Sequence, residues 1–223
     1  MGGSQWTRAA RPDRRGDLGF TVVVTALSDQ ILPYLAEGAR ERLRSYFTSY
    51  GGRRFEALGG GGDRPETRDI FAADDVVAVS LLSVSIPPEA VLRILEPRTG
   101  LLGNLLGKIP HDTDLWTADR SVIGPGSDAE ALWYALETID GIGWVTAGKL
   151  LARKRPRLIP VYDSVVKGAL MSGQGATWWV DLWEALQDEA LVERLSELKA
   201  EADLDEGISL LRVLDVAAWM RSQ

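Results

Sequence analysis

Apolar residues recur every three or four positions along most of the chain, which is the spacing of one face of an α-helix. The pattern begins within residues 17–50 and returns within 68–86, where RDIFAADDVVAVSLLSVSI predicts a buried helix that ends before Pro87 and Pro88. A short helix over 90–95 follows and extends towards residue 106. The apolar face of the first segment consists of Ile31, Leu32, Tyr34, Leu35, Ala39, Leu43 and Phe47.

The last third of the chain repeats this period in three stretches, TWWVDLWEALQ, EALVERLSELKAEA and GISLLRVLDVAAWM. A β-strand signal stands out only at residues 20–25 (FTVVVT), whose β-branched content fits a strand and equally the start of a helix. The pattern as a whole predicts a mainly α fold.

Two segments depart from the helical pattern. Residues 1–16 are polar, rich in arginine and without period, which predicts a disordered basic N-terminus. Residues 51–67 (GGRRFEALGGGGDRPET) are dense in glycine and are interpreted as a linker or a mobile functional loop. Since 45% of the residues are hydrophobic, residues 17–223 are sufficient for a single helical domain with a real core.

A helix-hairpin-helix is predicted at about residues 128–155. Ser127 and Glu130 have the spacing of a capping box, so a helix should run from about 128 to 138. Gly141-Ile142-Gly143 then forms a tight turn before a second helix that begins near Trp144. Glycine suits such a turn because it tolerates positive φ and close backbone approach, while Ile142 should point into the core.

The start of the second helix is a candidate anion site, because its free N–H groups carry partial positive charge. The net charge of −7 argues against general DNA coating, yet residues 141–173 hold six cations and one acid. We therefore predict contacts to DNA phosphates, with a monovalent cation at 141–146 as an open alternative. An ordinary helical hairpin with solvated basic residues is the competing interpretation. The predicted DNA-binding residues are Gly141, Ile142, Gly143, Trp144, Val145, Thr146, Lys149, Arg153, Lys154 and Arg155.

The amino-acid composition excludes several kinds of catalytic and metal-binding site. The chain has no cysteine and one histidine, His111, so thiolate metal sites, cysteine nucleophiles and histidine triads are set aside. No metal site and no cofactor are predicted, although a carboxylate-only Mg²⁺ site stays open. There is neither an apolar run of membrane-spanning length nor an apolar signal segment, so a cytoplasmic monomer without membrane contact is the default expectation.

The stretch LETIDGIGWVTAGKLLARKRPRLIPVYDSVV resembles the helix-hairpin-helix plus aspartate signature of the helix-hairpin-helix DNA glycosylase superfamily. The resemblance implies a two-lobed helical fold, DNA as the partner and a catalytic role for Asp163. Asp163 lies 18 residues after Val145, the position at which lyase-active members carry lysine. Val145 therefore implies a monofunctional enzyme, with Lys149, one helical turn later, as the alternative lysine. The cysteine cluster common in the family is absent.

Asp163 has two compatible interpretations. It could cap the helix that follows it, and it could stabilise positive charge at C1′ while it positions a water molecule. A flipped base needs stacking partners, and the predicted base pocket comprises Trp144, Tyr162, Trp133, Tyr134 and Asp69. Ordinary packing is the alternative for each of these five side chains.

These residues and motifs are compatible with three functions. The first is a monofunctional DNA glycosylase that hydrolyses the N-glycosidic bond of a modified or damaged base and leaves an abasic site, in DNA repair or phage defence. The second is a non-catalytic helix-hairpin-helix DNA-binding protein. The third is an α-helical protein-interaction module.

Overall fold

The computed structural model describes residues 26–97, 99–170 and 176–222, and within these ranges the protein is helical, with no β-strand. The predicted mainly α fold is confirmed. The predictions for residues 1–16 and 20–25 lie outside the described residues. The α-helices are α1 (Leu27–Ile31), α2 (Ala39–Ser49), α3 (Ala73–Ser80), α4 (Pro88–Leu95), α5 (Leu101–Leu106), α6 (Asp128–Glu137), α7 (Trp144–Lys154), α8 (Ser164–Leu170), α9 (Ala176–Ala185), α10 (Glu189–Glu201) and α11 (Leu210–Arg221).

The helix α3 is shorter than the prediction of a buried helix over 68–86. It ends at Ser80, and the chain then leaves the helical path because Ser83 has a φ of +61°, in the left-handed region. The carbonyl of Leu82 accepts a hydrogen bond from Lys149 Nζ at 2.9 Å, which fixes this segment against α7. The apolar period alone could not reveal that side-chain contact.

The predicted cap of α6 is confirmed. Ser127 Oγ accepts a hydrogen bond from the Glu130 backbone N–H at 3.1 Å. The Glu130 carboxylate, in turn, accepts from the Gly126 N–H at 2.6 Å, so it bonds one residue before the cap instead of the cap residue itself. The first contact satisfies an N–H group of the first turn, the second fixes the segment that leads into the helix, and α6 begins at Asp128 as expected.

Residues 51–67 are packed against α7, so the prediction of a linker or mobile loop is wrong. The carbonyl oxygens of Phe55, Glu56 and Leu58 all accept hydrogen bonds from the Arg153 guanidinium. At Gly62 the backbones meet so closely that a Cβ would lie 2.2 Å from the Arg153 carbonyl oxygen. The glycines therefore permit close packing, and the loop encloses a buried cation.

Two groups of helices are each held together by contacts among their own members. Helix α7 packs against α3 and α6, and α6 packs against α5, whereas α11 packs against α2, α8 and α10. A cavity lies where α7 faces α2 and α11. Across the described ranges, no helix has the length and apolar character needed to cross a membrane.

Candidate functional site

The turn between α6 and α7 has the predicted geometry. Gly141 has a φ of +87°, and a Cβ at this position would lie 2.6 Å from Pro87 Cγ, so both conformation and space require glycine. Gly141 and Gly143 are exposed, while Ile142 is buried in the core as predicted. No side chain caps the N-terminus of α7. The outer face of the turn is therefore open to a ligand.

Gly141→Ala should lower the free energy of unfolding by about 1–3 kcal/mol, because alanine is strained at this φ and meets Pro87. Gly143→Ala is the matched control: Gly143 has a φ of −95° and open space for a Cβ, so its loss should stay below about 1 kcal/mol, the cost of alanine at an N-cap. Urea denaturation of both variants measures the difference. Equal losses would show that the turn does not depend on Gly141.

The run Arg153-Lys154-Arg155 is buried, so the prediction that these residues bind DNA phosphates is wrong. Their exposed fractions are 1%, 0% and 1%, respectively. Asp75 pairs with both Arg153 Nε at 3.1 Å and Lys154 Nζ at 3.0 Å. Arg155 Nη2 donates to Asp69 at 2.8 Å. The run thus pairs with Asp75 in the interior and with the partly exposed Asp69, and it contributes no exposed positive charge to the surface.

The cavity beside the turn has a volume of about 530 Å³, within the range of small-molecule sites. Val145, in the first turn of α7, lines it, whereas Gly141, Ile142 and Gly143 do not, so α7 connects the turn to the cavity. Charged and polar side chains meet at its wall, and aromatic rings cover one side. The lining side chains used below are Tyr46, Tyr50, Val145, Lys149, Asp163, Arg212, Asp215 and Trp219.

Asp163 caps α8 and faces the cavity at the same time. Its Oδ1 accepts hydrogen bonds from the backbone N–H groups of Val165 at 3.0 Å and Val166 at 3.1 Å. The predicted cap is therefore confirmed. Its Oδ2 lies 3.5 Å from Lys149 Nζ, so one oxygen is fixed by the helix and the other is held at the cavity.

Lys149 is one of the cations that line the cavity, and it does not reach the outer surface of the turn as predicted for a phosphate contact. Its side chain is 4% exposed and lies between Asp163 and the Leu82 carbonyl. Burial lowers the pKa of Lys149, while the charge of Asp163 acts in the opposite direction. The Lys149 amine is thus held between Asp163 and Leu82 within the cavity wall.

Aromatic rings form one side of the cavity. Tyr46 and Tyr50 stack with their centroids 5.3 Å apart at an angle of 9°, and Trp219 meets both rings edge-on. Tyr50 is 40% exposed. This arrangement offers a flat apolar surface beside Asp163, which suits a planar ring.

The predicted base pocket is wrong for most of its members. Tyr162 is buried and stacks on Trp178 with the centroids 4.6 Å apart, and Trp133 is buried with its Nε1–H donating to the Trp144 carbonyl. Tyr134 is exposed and does not line the cavity. Asp69 pairs with Arg155. Core packing accounts for Tyr162 and Trp133, and ion pairing accounts for the partly exposed Asp69.

Trp144 lies at the outer start of α7, where the Lys167 ammonium is 5.4 Å from its ring centroid. Thr146, by contrast, is buried with its neighbours on α7. Among the predicted DNA-binding residues, those at the exposed face of the turn are therefore Gly141 and Gly143, with Trp144 half-buried beside them.

Arg212 and Asp215 were missed because they lie about 50 residues after Asp163 in sequence. A signal was present: they are an arginine and an aspartate three positions apart in the otherwise apolar stretch GISLLRVLDVAAWM. Such a pair in a buried helix is paired or functional. Tyr46 and Tyr50 had no comparable signal, since their approach to α11 depends on the tertiary fold.

The fold and the site define a helical protein with an exposed helix-hairpin-helix turn beside a cavity of mixed charge and one aromatic wall. Its residues 39–222 match the model of a family of unknown function, DUF6308, and the chain belongs to that family. Searches of curated proteins and of solved structures find no match.

Proposed function

We propose that the protein is a monofunctional DNA N-glycosylase with a helix-hairpin-helix glycosylase-like, two-lobed helical architecture. In this proposal the turn at Gly141–Gly143 binds a phosphate of the DNA backbone, and a modified or damaged base enters the adjoining cavity. Asp163 then assists hydrolysis of the bond between the base and C1′, which leaves an abasic site.

The observation that carries the proposal is that one helix, α7, joins the turn to the carboxylate. Its exposed N-terminus follows Gly143, its first turn contributes Val145 to the cavity, and its second turn places Lys149 next to Asp163. A backbone phosphate at the turn would therefore hold a nucleotide within reach of the cavity. Positioning of this kind converts a slow hydrolysis into a reaction within one complex.

The chemistry required is stabilisation of positive charge on the sugar and activation of water. Asp163 has one oxygen fixed by two backbone N–H groups, so its second oxygen has a defined direction. Lys149 Nζ lies 3.5 Å from that oxygen and attracts it by charge. Tyr50, whose ring is nearly parallel to that of Tyr46, supplies the face on which a flipped base would stack, and Trp219 stands edge-on to it.

The buried state of Arg153, Lys154 and Arg155 changes the expected mode of DNA binding. Among the described residues this run adds no exposed cation near the turn, so with a net charge of −7 the affinity for unmodified duplex should be low. Recognition would then depend on insertion of the modified base into the cavity.

The direct test is an assay for abasic sites on duplexes that carry deaminated, alkylated, oxidised or bulky phage-type bases. The proposal expects cleavage by alkali after incubation with the protein for at least one class of base. DNA binding without abasic sites on any duplex would favour the non-catalytic binding function. Absence of both binding and excision would favour the protein-interaction function.

Lys149 supports a second candidate, a lyase that forms an imine with the abasic sugar. A buried lysine with a lowered pKa, in a cavity, is the type that forms Schiff bases. We expect no covalent complex on borohydride reduction, because the ammonium donates to Leu82 and faces Asp163. Trapping by the wild-type protein that is lost in Lys149→Arg would instead establish the lyase.

A further inference from the structure

Asp215, in the middle of α11, is a second carboxyl group of the cavity wall, and the proposed hydrolysis does not yet use it. It is 5% exposed, and its Oδ2 accepts a hydrogen bond from Arg212 Nη1 at 2.5 Å. Its Oδ1 is buried and has no hydrogen-bond partner among the described residues. A buried carboxyl oxygen without a partner is costly, and such groups are frequent at functional sites.

The surroundings of Asp215 favour its protonated form. Burial raises its pKa to about 7, the charges of Glu56 and Asp163 act in the same direction, and Arg212 opposes them. The protonated form of Asp215 is therefore favoured more strongly than that of an aspartate in water. Within the described part of the chain, five titratable or charged groups face Asp215. They are Arg212 of its own helix, Tyr46 of α2, Lys149 of α7, Glu56 after α2 and Asp163 before α8.

The two carboxyl groups of the cavity differ in what surrounds them. Asp163 is contacted by two backbone N–H groups and an ammonium, all of which stabilise a negative charge. Asp215 shares its one guanidinium with the Tyr46 hydroxyl and the Gly52 carbonyl. Two carboxyl groups with opposed environments divide acid and base roles in many hydrolases.

We infer that Asp215 is the general acid of the site and protonates the leaving base, an inference that rests on the proposed glycosylase function. The bond between C1′ and the base nitrogen breaks, and its electron pair goes to the base. The Asp215 proton passes to an acceptor atom of that base. Water adds to C1′ and gives one proton to Asp163, so the products are an abasic sugar and a neutral base. Proton exchange with solvent then restores both carboxyl groups.

This role defines a substrate class. A neutral base is a poor leaving group until it is protonated, so its excision needs the acid. A base that already carries positive charge, such as N7-methylguanine, leaves without an added proton. Asp215 therefore points to neutral modified bases as the substrates of this cavity.

The test is single-turnover excision by wild type and Asp215→Asn of two duplexes, one with a neutral base that the wild type excises and one with N7-methylguanine. We expect the rate constant for the neutral base to fall roughly 100-fold or more in the variant. The rate constant for N7-methylguanine should change less than about threefold, which serves as the internal control for folding and binding.

The pH profile gives a second measurement that needs no variant. Since the acid acts only while protonated, the wild-type rate constant for the neutral base should fall as pH rises through about 7, approaching a tenfold loss per unit. A profile that is flat from about pH 6 to about pH 9 would overturn the role of Asp215, as would equal losses on both duplexes. If the wild type excises no base at all, the proposed function itself fails and the inference falls with it.

Discussion

Asp75→Asn should lower the free energy of unfolding by about 3–5 kcal/mol, the cost of breaking a buried ion pair by removal of one partner. Asp75 is fully buried and pairs with Arg153 and Lys154, whose side chains are also fully buried. It also accepts the Ala72 N–H at 2.9 Å, at the start of α3. Asparagine keeps the shape but leaves two buried cations without their carboxylate. Urea denaturation followed by circular dichroism measures the loss.

Asp74→Asn is the matched control for this substitution. Asp74 is the adjacent carboxylate, but its pair with Arg64 at 2.7 Å is partly exposed, with side-chain exposures of 27% and 23%. Partly exposed pairs contribute about 0–1 kcal/mol. Similar losses in the two variants would contradict the description of the Arg153-Lys154-Arg155 run as a buried cluster that α3 neutralises.

Asp163→Asn should reduce base excision by about 10²–10⁴-fold, and the rates are compared at a temperature at which circular dichroism shows both proteins to be folded. Asparagine is as good a helix cap as aspartate, so the hydrogen bonds from Val165 and Val166 can persist. The variant loses the negative charge that lies near Lys149 and, in the proposed complex, near the sugar. Excision is measured on the base identified in the assay for abasic sites.

Asp188→Asn provides the control for capping alone. Asp188 caps α10 by accepting the Ala190 N–H at 3.1 Å, and it does not line the cavity. Its variant should retain wild-type excision. If Asp163→Asn also excised at the wild-type rate, Asp163 would be a structural cap only, and the proposed mechanism would be wrong.

Local signals predicted the framework of the site well. Three of its features depend on residues that lie close together in sequence, so local patterns were enough to predict them. They are the Ser127 cap, the turn at Gly141 and the start of α7. Asp163 as a helix cap belongs to the same class. The interval between Val145 and Asp163 also connects two residues that line one cavity.

The prediction that the Arg153-Lys154-Arg155 run binds DNA was wrong for a physical reason. Charged residues near a helix end usually face solvent, and nothing in the run itself shows that Asp75, 78 residues before Arg153, lies against it. The aromatic wall failed in the same way. Tyr50 and Trp219 meet only because α11 packs on α2, whereas the aromatic residues near the turn in sequence pack mostly into the core.

Release of a base from DNA by means of the Asp163 carboxylate is the step on which the proposed function depends. The most direct measurement is mass spectrometry of the free base released from modified duplexes by the wild type and by Asp163→Asn. We predict release of an intact base by the wild type, in equal amount to the abasic sites formed, and at least a roughly 100-fold slower release by the variant. Abasic sites without a free base, or equal release by both proteins, would contradict the proposal.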